Sequence, residues 1–387
     1  MEFGFSEEQK ILIDGLTRFC KKELEPLVDD YDRNKKLRDP AILKGLLKKL
    51  RPFGFLSGPV PEKYGGMDLD FLTTGLIAEN LAKYFGSLTG VCLIQMCAAR
   101  LLATCPNEAL KEKYVPALCR GDKIACVCVT EPNVGSNPAF IETTLSKVSG
   151  GYRLNGTKTW ISNGSVSDIA IVIASVDRKL GAKGLTAFLV DREETPYTAR
   201  ELDKLGLRSF PTSELHFEDI LVPEENWVVE IGRGLAATLK TFEMARSLMA
   251  ATSVGLARAA IEVASEYAKQ REQSGRVIAS FQLVQDMLAD MLARTEASAF
   301  LTYRAFWLMD QNIRCDAQSA MAKFYSTEAA AKTTSEAIQI LGGYGLSEEY
   351  PVERLFRDAR SMTIPDGTTQ IQKLIVARDL VGVSALF

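Results

Sequence analysis

Arg357-Asp358-Ala359-Arg360-Ser361-Met362-Thr363-Ile364-Pro365-Asp366-Gly367-Thr368-Thr369-Gln370 joins two stretches with helical periodicity, residues 350–360 and 368–382. Pro365 has no backbone donor and restricts Ile364 to extended conformations, while Gly367 admits dihedrals closed to other residues. The chain is therefore expected to turn here with Asp366 at the apex, where a carboxylate can face a ligand. Behind it, Thr368 and Gln370 open the next helix, whose unpaired N–H groups and short polar side chains suit an anionic or carbonyl-rich ligand. An isolated Asp-Gly is more often a solvated turn, so its role depends on the company it keeps.

Working outward, the C-terminal part is expected to be helical over 235–271, 280–311 and 317–341. Helices of this length with more than one apolar face predict a bundle that also packs against a second subunit. At the other end, Ser6-Glu7-Glu8-Gln9 reads as a capping box opening a helix that runs to about Asp32. Further helices are expected over 41–53, 70–84, 87–104 and 108–118. Between these parts the period changes from 3.6 to 2. Strands are expected over 125–129, 151–154, 157–162, 169–174, 185–190, 202–207 and 214–222, with Asn155-Gly156 as a hairpin turn. The predicted class is α+β, mainly α: a helical domain (1–121), a β-barrel or sandwich domain (122–228) and a four-helix-bundle domain (229–387). Helices, then strands, then helices exclude a doubly wound sheet, and no G-x-G-x-x-G or Walker motif is present.

The chain has 387 residues, 47% hydrophobic and 25% charged, with net charge −3. That balance argues against nucleic acid or an anionic membrane as the main partner. Uninterrupted apolar runs are shorter than a spanning helix needs, and the first ten residues lack the pattern of a signal peptide, so a cytoplasmic protein is expected. The eight cysteines lie mostly in apolar stretches without a C-x-x-C pair, which predicts buried free thiols and no metal site. The single histidine, His216, sits in an alternating strand pattern and reads as structural, which leaves little room for Ser-His-Asp or His-metal chemistry.

Three more stretches carry chemical character. Val129-Thr130-Glu131-Pro132-Asn133-Val134-Gly135-Ser136 is a strand running into a loop where backbone can approach a ligand and Thr130 and Ser136 offer hydroxyls. Lys158-Thr159-Trp160-Ile161-Ser162-Asn163-Gly164 follows, with an indole suited to lie against a planar ring and neighbours that are poor core material. In Phe242-Glu243-Met244-Ala245-Arg246, two charges three residues apart share one helix face, as an internal salt bridge or a ligand contact.

Taken in order, T-E-P-x-x-G-S, W-I-S-N-G, R-x-x-x-G (Arg271 to Gly275), Q-I-L-G-G-x-G (Gln339 to Gly345), R-D-A and D-G-T-x-Q-I-Q resemble the acyl-CoA dehydrogenases along the whole chain. The resemblance implies FAD as cofactor and Asp366 as the base that takes the α-proton of an acyl-CoA thioester. Val129, Thr130, Trp160 and Ser162 match contacts to the flavin, and Ser136 matches a residue reaching cofactor or CoA phosphates. Glu243, Arg246 and Gly367 fall on the substrate side. Arg271 and Gln282 match the stretch that grips the FAD adenylate of a neighbouring subunit, Gln339 and Gly343 residues that touch the same adenine, and Thr368 and Gln370 further FAD contacts. An electron-transferring flavoprotein as acceptor and a homotetramer are implied as well.

The chain departs from the family pattern in places. The base is usually glutamate, and aspartate is shorter by about 1.5 Å. Pro365 replaces a bulky, often aromatic residue. Gln273 and Ser274 replace the common threonine and phenylalanine. Some members carry their base just before the arginine matching Arg246, where this chain has Ala245. The first two changes make room beside the α-carbon and favour a ring-bearing or α-branched acyl-CoA such as cyclohexanecarboxyl-CoA. The alternatives are a straight short-chain substrate, a nitroalkane-oxidase-like flavoenzyme, and a non-catalytic flavin-binding protein.

Overall fold

The computed structural model describes residues 4–385. Helix α1 (Glu7–Phe19) starts at the expected capping box: Gln9 N–H donates to Ser6 Oγ at 3.2 Å and Ser6 N–H to Gln9 Oε1 at 3.0 Å. It does not run unbroken to Asp32. The chain passes through a π turn (Cys20–Leu24) and a 3₁₀ turn (Glu25–Leu27) before α2 (Val28–Asn34), because Pro26 cannot continue the hydrogen-bond ladder. Asp39 caps α3 (Pro40–Leu50), and Asp70 caps α4 (Phe71–Ala103), which replaces the two helices expected there. They join through a kink at Phe85 without an intervening loop. Asn107 caps α5 (Glu108–Arg120).

The strands are β1 (Ala125–Cys128), β2 (Thr144–Val148), β3 (Gly151–Ser162), β4 (Ile169–Ser175), β5 (Leu185–Asp191), β6 (Thr198–Glu201), β7 (Thr212–Pro223) and β8 (Trp227–Val229). They form one eight-stranded sheet in the order β6-β7-β3-β2-β4-β5-β8, with β1 parallel to β4. Two expectations fail here. Asn155-Gly156 is not a hairpin turn: β3 runs straight through it, and the register against β7 shifts between Leu154 and Gly156. Gly156 has φ 154°, and a Cβ there would lie 2.8 Å from Thr143 Cα, so glycine serves a bulge and a close backbone approach. The strand expected over 202–207 is irregular, because β6 ends at Glu201 and the following loop docks on the C-terminal helices.

After the sheet come α6 (Gly234–Gln270), a small hairpin of β9 (Glu272–Gln273) and β10 (Arg276–Val277), α7 (Gln282–Asp310), α8 (Asp316–Leu341), α9 (Val352–Ser361) and α10 (Thr369–Val381). Helix α6 packs on α4, α7 and α8, and α9 and α10 close over α8. One core therefore spans both helical parts, through Leu16, Leu88, Leu248 and Leu355. A second joins α5 to one face of the sheet through Tyr114 and Ile171, and a third fills the other face through Val172, Phe188 and Phe217. Strand β4 is thus buried on both faces, which explains its unbroken apolar run.

Helices α4 and α6 are long and apolar enough to cross a membrane by length and composition, contrary to the short runs noted above, because glycine, serine and threonine interrupt those runs without lowering mean hydropathy much. Of their apolar windows, 83% and 78% are buried inside the protein.

Candidate active site

The turn between α9 and α10 holds Asp366 in the left-handed region, φ 53°, followed by Gly367 at φ 92°. A side-chain residue with positive φ is costly to maintain and marks a conformation held by its surroundings. Here Gln372, fully buried on α10, donates from Nε2 to the carbonyls of Asp366 and Gly367, both at 3.0 Å. A Cβ on Gly367 would lie 2.4 Å from that same Nε2 and would displace the amide that holds the turn. Thr368 caps α10 by accepting from Ile371 N–H at 3.4 Å, and Thr369 Oγ1 donates to Glu328 at 2.6 Å. Gln370 points to the surface. Among the described residues nothing donates to the Asp366 carboxylate, and the N–H groups of Asp366 and Gly367 donate to no protein acceptor. A free basic lone pair and two free donors therefore share one turn.

Two buried cations face this carboxylate. Arg246 on α6 is 5% exposed and makes no hydrogen bond or ion pair among the described residues; its Nε is fully enclosed. The salt bridge to Glu243 considered above does not form. Lys323 on α8 is completely buried. Burial pushes the Asp366 carboxyl above the usual range, and Lys323 and then Arg246 pull it back. Glu243 is pushed up to about 7, first by burial and then by the Asp316 carboxyl beside it, with Arg246 opposing. Glu243 thus faces a second carboxyl, a partner that sequence reasoning did not supply.

The strand-to-loop stretch after β1 is built on a buried ion pair. Lys158 Nζ lies 2.8 Å from Glu131 Oε1 with both side chains enclosed, and it also donates to Val129 O at 3.0 Å. Glu131 further accepts from the backbone N–H of Glu142 (2.5 Å) and Thr143 (2.9 Å) and from the Thr143 hydroxyl. Burial alone would raise the Glu131 carboxyl, but Lys158 and these donors hold it below the usual range. This anchor leaves Thr130 partly exposed and Ser136 exposed. Alongside, a bulge between Lys158 and Ile161 puts Trp160 at φ 58° with its indole 57% exposed. Ser162 is partly buried. Asn163, read above as poor core material, is fully buried and donates to the carbonyls of Val91 and Ala125. An exposed indole on a rigid bulge, next to an anchored strand end, fits the isoalloxazine of FAD.

A separate cleft of about 560 Å³ is lined by Tyr267, Arg271, Gln273, Gly343, Tyr344 and neighbours, and contains neither Asp366 nor Trp160. Arg271 is exposed at its edge, while Gln282 and Gln339 lie exposed on the adjoining helices. Ser274 (φ 52°) and Gly275 (φ 75°) make the tight turn of the β9–β10 hairpin. Tyr267, Tyr344 and Tyr350 pack edge to face or tilted at 5.5–6.4 Å, a cluster the sequence did not announce. An exposed guanidinium at an open cleft suits an anionic group such as a phosphate.

Lys323, Gln372 and Asp316 were missed at the sequence level. Lys323 left one signal: it stands among small residues, Ala320, Ala322, Ser326 and Thr327, on a helix face that is buried throughout. His216 lies on an exposed strand face, 3.1 Å from Glu214 and 3.2 Å from Thr157. The eight cysteines are free and buried.

Family models match almost the whole chain: acyl-CoA dehydrogenase N-terminal domain over 6–122, middle domain over 126–220 and C-terminal domain over 232–381. The chain is 34% identical to 3-(aryl)acrylate reductase of Clostridium sporogenes over 97% of this chain and all of that one. It is 33% identical to the caffeyl-CoA reductase-Etf complex subunit CarC of Acetobacterium woodii, over 96% and 98% of the two chains. The structure of butyryl-CoA dehydrogenase from Megasphaera elsdenii superposes with TM-score 0.94 at 34% identity, covering 98% of this chain and all of that one.

Proposed function

The chain belongs to the acyl-CoA dehydrogenase family, FAD-dependent oxidoreductases that dehydrogenate acyl-CoA thioesters, and within that family we propose that Asp366 is the base of α,β-dehydrogenation. The observation that carries this reading is the Asp366 carboxylate itself, free of donors on a left-handed turn and facing two buried cations. The free N–H groups of the turn are suited to donate to a thioester carbonyl oxygen, which acidifies the α-carbon. Asp366 then takes the α-proton, and its raised proton affinity brings a weak base closer to the strength the step needs.

Bound FAD supplies the hydride acceptor for the β-hydrogen. Val129, Thr130, Trp160 and Ser162 would hold its ring, with Ser136 toward phosphates and Thr368 and Gln370 at the start of α10. Arg271, Gln282, Gln339 and Gly343 of a second copy would hold the adenylate. Arg246, a buried charge without a protein partner, would meet the CoA ester, with Glu243 nearby. Exposed Leu283, Leu292 and Trp307 on α7 support association of copies, read as a homotetramer. An electron-transferring flavoprotein is the proposed electron acceptor, in line with the Etf complex named for the Acetobacterium relative.

For the substrate, a ring-bearing or α-branched acyl-CoA such as cyclohexanecarboxyl-CoA is proposed, because Asp366 and Pro365 leave space beside the α-carbon. Relatives named for caffeyl-CoA and 3-(aryl)acrylates support a ring-bearing acyl group, although their ring sits on the β-carbon; the butyryl-CoA enzyme supports the short straight chain as second reading. Anaerobic bleaching of the flavin by a panel of acyl-CoAs decides between them. Faster bleaching by butyryl-CoA than by any cyclic ester rejects the ring assignment, and no bleaching by any thioester rejects the activity.

A further inference from the structure

Lys323 stands in the middle of α8 with no solvent exposure and no carboxylate within ion-pair distance among the described residues. Its ammonium donates to two carbonyls, Thr363 O at 3.1 Å and Gly367 O at 2.9 Å. These carbonyls bracket Asp366, one on each side of the turn. The same two oxygens also accept from Thr369 N–H (3.2 Å) and Gln372 Nε2 (3.0 Å), so four hydrogen bonds from three groups converge on the rear of the turn. A buried ammonium without a counter-ion in contact is costly, and an apolar side chain of similar length is usually tolerated as well or better by the fold. A cation retained at that cost points to a task beyond packing.

We propose that Lys323 is a positioning residue for the base: it clamps the carbonyls of Thr363 and Gly367 so that the Asp366 carboxylate faces the substrate, and its charge favours the ionised form of that carboxylate. This rests on the reading of Asp366 as the base. The groups facing Asp366 are Lys323 from α8, Arg246 from α6 and the Cys97 thiol from α4, which burial keeps neutral. Arg246 touches no atom of the turn by hydrogen bond, whereas Lys323 holds it at two points. The acidic groups in the field of Lys323 are Asp366 and Glu328, and Glu328 is already engaged by Thr369. Burial lowers the Lys323 ammonium to about 8, with the Asp366 charge opposing and Arg246 adding to the fall. It is therefore charged at neutral pH, where it offsets the burial of the Asp366 carboxylate.

The test is the pH dependence, between 5 and 9, of anaerobic flavin reduction in the FAD-loaded enzyme, with butyryl-CoA and cyclohexanecarboxyl-CoA as probes. Lys323→Met is expected to keep FAD and to bind the esters within about threefold of wild type. Its limiting rate should fall about 10- to 100-fold, the scale of a slightly misplaced catalytic group. Its acid limb should move to higher pH, because the carboxylate has lost a cation. Lys323→Arg should return the acid limb toward the wild-type position. A slower Lys323→Met with an unmoved acid limb would show mere structural support and overturn the proposal, as would an unchanged rate. If Lys323→Met does not hold FAD, Lys323→Gln is measured in its place, and failure of both neutral variants to load FAD counts against the proposal. Asp366→Asn separates the two readings: if it still reduces the flavin, the assignment of the base falls, whatever the Lys323 variants do.

Discussion

The Asp358 carboxylate accepts the backbone N–H of Leu207 at 2.5 Å, and this bond hooks the loop after β6 onto the helix that leads to the base turn. Both partners are buried, and the approach is close: a Cβ on Gly206 would lie 2.0 Å from the Arg357 carbonyl oxygen. Arg357 in turn pairs with Asp32 at 2.9 Å and Glu353 at 2.7 Å, so α2, the sheet domain and α9 meet at one place.

Asp358→Ala should therefore destabilise the fold by about 1–3 kcal/mol, the cost of an unpaired buried donor, read as a lower midpoint of denaturant unfolding. Asp358→Asn, which can still accept from Leu207, should lose less and change the pH dependence. Burial first, and then the Asp32 charge, push the Asp358 carboxyl up to about 6. The folded state then holds this proton to higher pH than the unfolded state, so the contribution of this group to stability falls as pH rises from about 4 to about 6. Across that window, wild type should lose stability relative to Asp358→Asn; parallel stability curves would reject the shift.

Arg246→Ala should weaken binding of an acyl-CoA by about 10- to 100-fold, the range of a hydrogen bond to a charged group, with FAD retained. Ligand-free thermal stability should stay level or rise, since the variant removes a buried charge that no protein group satisfies. An unchanged dissociation constant, or a large loss of ligand-free stability, contradicts a substrate-side role.

Arg271→Ala should release FAD and loosen the assembly together, because the arginine is placed at an open cleft that a cofactor from a second copy would fill. Sedimentation and flavin absorbance read the two effects. A variant without FAD that keeps the wild-type oligomer breaks the coupling.

Asp366→Asn should abolish flavin reduction and with it the acid limb, which in wild type should lie above the usual carboxylate range because burial raises that group. Asp366→Glu should keep fold and FAD, since Gln372 and Lys323 hold the turn through its carbonyls. The added methylene would press into a ring, so the specificity constant for a cyclic acyl-CoA should fall by about 1.4–2.8 kcal/mol, or 10- to 100-fold. A straight short chain should be relatively better used. Equal improvement of both esters would remove the substrate assignment and leave the enzyme class standing.

Much of this site was open to local reading, because its determinants are neighbours in the chain. The capping box at Ser6, the opening of α10 at Thr368, the apolar runs of β4 and β5, and the apex position of Asp366 between Pro365 and Gly367 follow from dihedral preference and periodicity. Residues within a few positions of one another set both. Trp160 could be singled out for the same reason, although its exposure rests on a bulge.

Packing decided the rest. Asn155-Gly156 suits a turn or a bulge equally, and β7 lying opposite made it a bulge. The segment 202–207 alternates like a strand, yet Gly206 is drawn against Arg357, about 150 positions later, and pairing is given up for that contact. Lys323 was not singled out in the sequence, because its role appears only when α9 and α10 fold over it and bring Thr363 O and Gly367 O to its ammonium. For Glu243 the sequence left open a salt bridge to Arg246 three residues on or a ligand contact, and α8 then delivered Asp316 to it. Hydrogen bonds and charges act over a few ångströms in space regardless of separation in sequence, so which buried polar groups meet, and hence how the base is held and tuned, is settled only when the helices close on one another.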